Sequence, residues 1–215
     1  MYKGVIFDCD GVLVDTEGLF SSASNDHLKD LGIEQTEIEQ SFSGVRLYEY
    51  SEYIVKKYFL NMSVEKFMLD EQQYYKNYFT DSALIPMPGL INFIIGLKKA
   101  GMKLAIASSS SKAYVEHMIK LFNIERYFDV VVCGDEVLKS KPDPDIYLKT
   151  IAKMGMSNSE LIAIEDSKAG ITSAKTAGLY VIAYKGSKII QDTRLADFEI
   201  NDYSAVNIKE LIKGI

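Results

Sequence analysis

The segment VIFDCDGVLVDT, which runs from Val5 to Thr16, is the most informative part of the sequence for the fold. Its first three residues form a continuous apolar run, typical of a strand that is buried on both faces of a parallel sheet. Asp8 and Asp10 follow at once, and side chains two positions apart in an extended chain point the same way. Open α/β sheets bind ligands beyond the carboxyl ends of their strands. The two carboxylates are therefore predicted to face one crevice at the edge of a sheet.

Apolar runs of the same kind recur along the second half of the chain. Helical patterns separate them, such as the i, i+3, i+4, i+7 spacing from Val115 to Phe122. Alternation of continuous apolar strands with helices is typical of an α/β protein that has a doubly wound parallel sheet with helices on both faces. The further predicted strands contain residues 103–107, 130–132, 161–164 and 180–183.

Between about Thr16 and Ser82 the chain has no strand-like run, and its apolar residues follow helical spacing. Three apolar stripes predict amphipathic helices in this region. They are Phe20-Ala23-His27-Leu31, Leu47-Tyr50-Ile54-Tyr58 and Val64-Phe67-Met68-Tyr75. We predict that residues 16–82 form a helical cap inserted after the first strand, and that residues 1–15 and 83–215 form the α/β core.

Composition and charge narrow the class of protein. Of the 215 residues, 47% are hydrophobic and 25% are charged, which is ordinary for a globular protein. A net charge of −6 disfavours nucleic acid and anionic membranes as partners, because no broad basic field is available. No apolar run approaches the roughly 20 residues that span a bilayer, and the N-terminus reaches a charged residue too early for a signal peptide. We expect a soluble, cytoplasmic protein in which Cys9 and Cys133 are buried thiols.

The pair of aspartates after the first strand has two interpretations. Adjacent carboxylates repel each other unless a cation neutralises one of them or a proton is shared. Beside Mg²⁺, Asp8 has the properties of a nucleophile towards phosphorus, and Asp10 has those of a general acid and base. An Asp-x-Asp-Gly segment is equally compatible with solvated carboxylates in a turn, and it also resembles calcium loops.

Three further polar motifs follow predicted strands, and each also has an ordinary alternative. The hydroxyls and backbone amides of Ser108–Lys112 suit a phosphate, or merely cap a helix. Lys141 suits a phosphoryl oxygen, although an isolated loop lysine is usually just exposed. Glu165 and Asp166 offer the hard oxygen ligands of a Mg²⁺ site, or cap the next helix. Because all four motifs fall at one edge of the sheet with complementary charges, together they predict a phosphoryl-transfer site.

Taken in order, the four motifs resemble those of the haloacid dehalogenase (HAD) superfamily across essentially the whole chain. They are Asp8-x-Asp10-x-Val12-Leu13, Ser108 after the second strand, Lys141 before Pro142, and Glu165-Asp166. The resemblance implies a HAD-like Rossmannoid core with an inserted α-helical cap, and a Mg²⁺-dependent reaction through an aspartyl-phosphate. True dehalogenases lack the second aspartate, so the presence of Asp10 points away from carbon–halogen chemistry.

The same resemblance implies a role for each site residue. Asp8 is the expected nucleophile, and Asp10 is the expected general acid and base, which also binds the metal through its main-chain carbonyl. Glu165 is expected to bind the metal directly or to support it through water. The implied metal ligands are Asp8, Asp10, Glu165 and Asp166, and the implied phosphate-binding residues are Ser108, Ser109 and Lys141.

Within the superfamily, the chain resembles sugar-phosphate phosphatases and β-phosphoglucomutase. Its segment 42–49 is similar to the cap loop that faces the active site in that group. There Gly44 would permit a close approach to the substrate, and Arg46 would either meet a second anionic group or remain a surface residue. β-Phosphoglucomutase has a His shortly after the first motif and a Lys just before the cap glycine, where this chain has Phe20 and Ser43. These departures favour hydrolysis over mutase activity.

We therefore expect an enzyme, a phosphatase that acts on a small phosphorylated metabolite such as a sugar phosphate and uses Mg²⁺. A β-phosphoglucomutase-like mutase is the alternative. A non-catalytic binding protein on the same fold is disfavoured, because the acidic and basic motif residues are all present. His27 and His117 lie in helical stretches away from the motifs and are expected to be structural. The oligomeric state is left open, with a monomer as the working assumption.

Overall fold

The computed structural model describes residues 1–33, 44–187 and 191–213. The strands in these ranges are β1 Gly4–Phe7, β2 Lys103–Ser108, β3 Val130–Cys133, β4 Leu161–Glu165, β5 Tyr180–Tyr184 and β6 Phe198–Ile200. They form one sheet in the order β3-β2-β1-β4-β5-β6, and every neighbouring pair is parallel. The predicted doubly wound parallel sheet is confirmed, and each of the five predicted strands is present.

The edge strand β6 was not predicted from the sequence. It has three residues, of which Phe198 and Glu199 are exposed and Ile200 is buried. A segment this short, with a charge at its centre, has neither the length nor the apolar pattern of the other strands. It is placed by pairing with β5, where Ile182 lies level with Phe198.

Helices cover both faces of the sheet. The helices are α1 Glu17–Asp30, α2 Leu47–Lys57, α3 Val64–Tyr78, α4 Leu90–Lys99, α5 Lys112–Leu121, α6 Asp145–Met154, α7 Lys168–Thr176 and α8 Ile208–Lys213. Side chains alternate along a strand, so Val5 and Phe7 pack with α4, α5 and α8 while Ile6 packs with α6 and α7. Both faces of β1 are buried as a result, which explains its continuous apolar run.

The helices α1, α2 and α3 lie within the range predicted for the cap, and α1 and α2 each pack on α3. They enclose a small apolar core of their own, formed by Leu28, Tyr50, Ile54 and Phe67. The described residues between 16 and 82 contain no strand, in keeping with the helical stripes of the sequence. The division into core and cap at residues 15 and 83 stays a prediction.

An acidic side chain lies inside this helical unit. Glu71 has no exposed surface, and its carboxylate accepts a hydrogen bond from the Ser24 hydroxyl. Its Oε2 lies 2.5 Å from Nδ1 of His27, whose ring stacks on Tyr74 at 4.7 Å between centroids. His27 is therefore part of the packing between α1 and α3. His117 is exposed, as a surface residue on α5.

The chain passes between core and helical unit along two adjacent segments. The Met87 N–H donates to the Leu13 carbonyl at 3.0 Å, and Val14 forms an isolated antiparallel bridge with Pro86. Val14 also bridges to Asp10 in the loop after β1. The two crossings therefore run side by side, directly next to the predicted site.

The structure bears on two further predictions, which concern the burial of the cysteines and the presence of membrane-spanning helices. Cys9 and Cys133 are buried free thiols, as predicted. In the ranges that the structure describes, no helix combines the length and the apolar character that crossing a membrane requires.

Candidate active site

The predicted site residues lie at the carboxyl edge of the sheet, around its central strand. Phe7 of β1 is level with Ile106 of β2 and with Ile164 of β4. The next residue, Asp8, donates its backbone N–H to the Ile164 carbonyl at 3.0 Å. The strand order reverses at β1, and such switch points are where open α/β sheets bind ligands. The topology thus brings together motifs that are far apart in the chain.

Lys141 lies beneath this edge and is only 1% exposed. Its Nζ donates to Asp8 Oδ1 at 2.9 Å, to Glu165 Oε1 at 2.6 Å and to the carbonyl of Ala107 at 3.1 Å. All three ammonium hydrogens therefore have acceptors. A buried ammonium is tolerated when it is paired and hydrogen-bonded in this way. Lys141 is the internal counterion of the site, and not the exposed loop lysine of the alternative interpretation.

Both carboxylate oxygens of Glu165 accept hydrogen bonds. Oε1 accepts from Lys141 and from the Tyr147 hydroxyl, each at 2.6 Å. Oε2 accepts from the Asp166 N–H at 3.2 Å and from the Ser167 hydroxyl at 3.4 Å. Glu165 has no exposed surface. It therefore fixes the lysine, the end of β4 and the start of α7 relative to one another.

Three buried carboxylates form a group suited to a cation. Asp8, Glu165 and Asp166 each offer an oxygen, and these atoms lie within 4.8 Å of one another. When all three carboxylates are ionised and Lys141 is charged, the group has a net charge of −2, which a divalent cation neutralises. The loop after β1 can lie against Asp166 because residue 11 is a glycine. A Cβ at this position would be only 1.9 Å from Asp166 Oδ2. Carboxylate oxygens are the ligands that hard cations prefer, so these residues fit Mg²⁺.

Burial and charge change the ionisation of the group. Burial, together with the Glu165 carboxylate, raises the pKa of Asp8 to about 8, against the opposing effect of Lys141. Burial by itself lowers the pKa of Lys141, but the carboxylates of Asp8 and Glu165 raise it overall, so the lysine stays charged. A bound cation favours the ionised form of Asp8, which is the form that acts as a nucleophile.

Three hydroxyl groups hold the carboxylate of Asp10. Its Oδ1 accepts from Thr16 at 2.7 Å and from Tyr114 at 3.0 Å, and its Oδ2 accepts from Ser110 at 2.6 Å. Thr16 belongs to the crossing into the helical unit, whereas Ser110 and Tyr114 follow β2. Sequence reasoning did not assign these three residues to the site. Ser110 lies within the serine run that was predicted to bind phosphate, which is a signal that pointed to its surroundings.

The serines after β2 form different hydrogen bonds. Ser111 caps α5 and accepts from a main-chain N–H of the first turn at 3.4 Å. Ser108 is buried, and its hydroxyl oxygen accepts from the Ser110 N–H at 3.1 Å. The Ser109 hydroxyl donates to the carbonyl of Gly44 at 2.6 Å. Helix capping therefore falls to Ser111, which leaves Ser108 and Ser109 at the strand end.

The segment from Gly44 to Arg46 rests on the core. Gly44 has a φ of +81°, and a Cβ there would lie 2.2 Å from Ser167 Oγ. The Arg46 guanidinium donates to Glu49 Oε1 at 2.6 Å, and to the carbonyls of residues 137 and 138 at 3.2 and 3.1 Å. In this arrangement Arg46 braces the loop against the core. Its contact with a substrate anion stays a prediction, and Ser43 lies outside the described residues.

Comparison with known proteins agrees with this geometry. The family model of the haloacid dehalogenase-like hydrolases matches residues 5–184. The chain belongs to this family. A phosphorylated carbohydrates phosphatase from Thermotoga maritima is 33% identical to this HAD-like hydrolase over 178 residues, or 82% of each chain. Protein CbbY from Rhodobacter capsulatus is 28% identical over 214 residues, or 94% of each chain.

Solved structures show the same fold. A HAD hydrolase of family IA, variant 3, from Entamoeba histolytica matches with a TM-score of 0.83 at 27% identity, covering 98% of each chain. CbbY from Rhodobacter sphaeroides in complex with xylulose-(1,5)bisphosphate matches with a TM-score of 0.80, covering 96% of this chain and 97% of that one. At 23% identity the second likeness concerns the fold alone. The resemblance drawn from motif order is confirmed, and so is the prediction of an enzyme of the HAD-like hydrolase family.

Proposed function

We propose that this HAD-like hydrolase is a Mg²⁺-dependent phosphatase of a small phosphorylated metabolite, a sugar phosphate, and that it works through an aspartyl-phosphate on Asp8. The observation that carries the proposal is the buried contact of 2.9 Å between Asp8 Oδ1 and Lys141 Nζ, within a group of carboxylates that fits Mg²⁺. The substrate class is supported by the Thermotoga maritima relative, which is named a phosphatase of phosphorylated carbohydrates.

In the first half-reaction, the Asp8 carboxylate attacks phosphorus. A bond forms between Asp8 Oδ and phosphorus, and the bond between phosphorus and the substrate oxygen breaks. Asp10 donates a proton to that leaving oxygen, so that the sugar leaves as a neutral alcohol. The hydroxyls of Thr16 and Ser110 keep the Asp10 carboxyl group oriented for this transfer.

In the second half-reaction, water attacks the same phosphorus. Asp10, now a carboxylate, takes a proton from the water as its oxygen bonds to phosphorus. The bond between phosphorus and Asp8 breaks, which releases inorganic phosphate and restores the Asp8 carboxylate. The proton that Asp10 gives to the leaving oxygen is thus replaced by the proton that it takes from water.

The remaining residues bind and orient. Lys141 balances the charge on Asp8 and the phosphoryl group, and the Ser108 hydroxyl and the main-chain N–H groups at the end of β2 bind phosphoryl oxygens, since the Ser109 hydroxyl already donates to the Gly44 carbonyl. The residues that would hold Mg²⁺ are Asp8, Asp166 and the main-chain carbonyl of Asp10. Glu165 would support the site from outside, because its oxygens already accept four hydrogen bonds. A bound Mg²⁺ supplies charge stabilisation to the transferring phosphoryl group.

The test is phosphate release over a panel of sugar phosphates, nucleotides and phosphoglycolate, with Mg²⁺ and with a chelator. We expect release that depends on Mg²⁺ and falls by a factor on the order of 10⁴ or more in Asp8→Asn, since the nucleophile is lost. Asp30→Asn is the control, because Asp30 is an exposed carboxylate on α1. Retained activity in Asp8→Asn would refute the mechanism.

The mutase alternative shares every step up to the aspartyl-phosphate. It differs in the acceptor, which would be a sugar hydroxyl instead of water. Chromatography of the products from a hexose 1-phosphate separates the two reactions, because free phosphate marks hydrolysis and hexose 6-phosphate marks transfer. We expect free phosphate.

A further inference from the structure

Tyr114 connects the general acid of the proposed reaction to the junction between core and helical unit. Its hydroxyl donates to Asp10 Oδ1 at 3.0 Å. It lies on the first turn of α5, and its ring is partly buried against the core. Nothing in the reaction described above requires a tyrosine at this position, so the contact needs its own explanation.

The contact is one of three that fix the Asp10 carboxylate. Thr16 donates to the same oxygen at 2.7 Å, and Ser110 donates to the other oxygen at 2.6 Å. Donors on both oxygens, reaching the carboxylate from two different segments, restrict rotation about its side-chain bonds. Of the three donors, Tyr114 has the largest side chain, and its ring also packs on neighbouring residues.

The ring of Tyr114 packs edge-on against Phe79, with 6.0 Å between centroids and 73° between planes. Phe79 packs in turn on Phe20 of α1 at 4.6 Å. Phe79 directly follows α3, where the chain leaves the three-helix unit, and Thr16 directly precedes α1, where the chain enters it. Both crossings therefore converge on Asp10, one through the Thr16 hydroxyl and the other through the rings of Phe79 and Tyr114.

We propose that Tyr114 is a positioning residue that holds Asp10 in the orientation for proton transfer to the leaving oxygen. This inference rests on the proposed function, in which Asp10 is the general acid. The physical basis is that proton transfer requires the acid to lie within hydrogen-bond reach of the leaving oxygen, and misplacement by about 1 Å costs on the order of 10²-fold in rate. The packing of Tyr114 on Phe79 makes this orientation depend on how the helices sit on the core.

The test compares two leaving groups. Tyr114→Phe keeps the ring and its packing but removes the hydroxyl. An alkyl phosphate, the best sugar phosphate from the panel, needs a proton on its leaving oxygen, whereas p-nitrophenyl phosphate releases a weakly basic phenolate and needs it far less. We expect kcat of Tyr114→Phe to fall about tenfold more on the alkyl phosphate than on p-nitrophenyl phosphate, with little change in KM. A merely structural role would lower both rates in the same proportion.

Two further variants make every outcome decisive. Tyr74→Phe removes a similar tyrosine-to-aspartate hydrogen bond, 2.6 Å from Asp30, but within the helical unit, and we expect its ratio of rates to match that of the wild type. Asp10→Asn should also lose more activity on the alkyl phosphate than on p-nitrophenyl phosphate, and the difference should be larger than in Tyr114→Phe. If Asp10→Asn discriminates and Tyr114→Phe does not, the inference on Tyr114 is wrong and the proposed function stands. If Asp10→Asn does not discriminate, the general-acid role of Asp10 fails, and the role of Tyr114 fails with it.

Discussion

Among single residues, the site depends most on Lys141, whose buried ammonium group forms hydrogen bonds with several acceptors. Lys141 donates to Asp8, to Glu165 and to a main-chain carbonyl, and it has almost no contact with solvent. Removing one carboxylate leaves one ammonium hydrogen without an acceptor and removes part of the negative charge that offsets the burial of Lys141 in a medium of low polarity. Such a loss costs more than the intact pair contributes, because the desolvation of the lysine is no longer offset.

Glu165→Ala is therefore expected to lower the free energy of unfolding by about 3 kcal/mol. The variant removes one of the three acceptors of Lys141 Nζ, and it also removes the acceptor of the Tyr147 hydroxyl. Urea unfolding followed by circular dichroism measures the loss. Glu160→Ala is a matched control, since Glu160 also pairs with a lysine, Lys3 at 2.5 Å, but at the surface, where the loss should be small. Equal losses in the two variants would contradict a shared, buried ammonium.

The sequence was sufficient to predict that the charged residues of the candidate site lie at one edge of the sheet. Asp8 and Asp10 come just after β1, and Glu165 and Asp166 lie at the end of β4, so their position along the chain defines their position at the sheet edge. Tyr114 and Tyr147 could not be predicted in the same way. A tyrosine on an amphipathic helix fits the same spacing whether its hydroxyl meets solvent or a carboxylate. Only the packing of α5 and α6 on the sheet decides between the two.

At the scale of elements, the segment that begins at Gly44 joins the helical unit to the core. The Gly44 carbonyl accepts from Ser109, and its α-carbon approaches Ser167, so this segment contacts the loops after β2 and β4 together. The close approach is possible because glycine has no side chain. The docking of the loop therefore depends on one position.

We expect Gly44→Ala to reduce kcat/KM by about tenfold or more, because displacement of the loop by about 1 Å disturbs substrate positioning. Gly32→Ala is the matched control. Both glycines have positive φ, +81° and +75°, so both alanines carry similar backbone strain. A Cβ at position 44 would lie 2.2 Å from Ser167 Oγ, whereas one at position 32 meets nothing within 4 Å. Steady-state kinetics of the two variants should differ, and equal kcat/KM values would show that the docking has no effect on catalysis.

Helical periodicity predicted the positions of α1, α2 and α3 but not their polar interior. Glu71 lies four residues after Phe67, on the buried face of α3. Helical periodicity alone assigns an acidic residue at such a position to the solvent-facing border of the apolar helix face. Its partners Ser24 and His27 lie more than 40 residues away on α1. Burial of the acid depends on this pairing between helices, which the local sequence does not contain.

In the whole molecule, the folded sheet brings together charged residues that are far apart in the sequence. Asp8 and Lys141 are 133 residues apart in sequence and 2.9 Å apart in space. Burial, together with the neighbouring Glu165 carboxylate, raises the pKa of Asp8 to about 8 in the absence of a metal. Because this pKa lies above its value in an unfolded chain, the metal-free protein should lose stability as the pH rises towards 8.

Mg²⁺ should offset this loss, and more strongly at high pH. The cation binds ionised Asp8, so below about pH 8 it must displace a proton, and its affinity should rise by up to about tenfold for each pH unit. We expect the increase in melting temperature caused by Mg²⁺, relative to a chelator, to be larger at pH 8 than at pH 6. In Asp8→Asn the increase should be smaller and no longer depend on pH across this range. An increase in the wild type that is the same at both pH values would contradict this electrostatic description.

In the proposed mechanism Asp8 forms a covalent bond to phosphorus, and this bond can be trapped during turnover. Borohydride reduces an aspartyl-phosphate to homoserine, so turnover with the best substrate and Mg²⁺ is quenched with borohydride and the peptides are analysed by mass spectrometry. We predict homoserine at position 8, formed only when substrate and Mg²⁺ are both present. Unmodified Asp8 under conditions of full turnover, or homoserine at another aspartate, would contradict this mechanism.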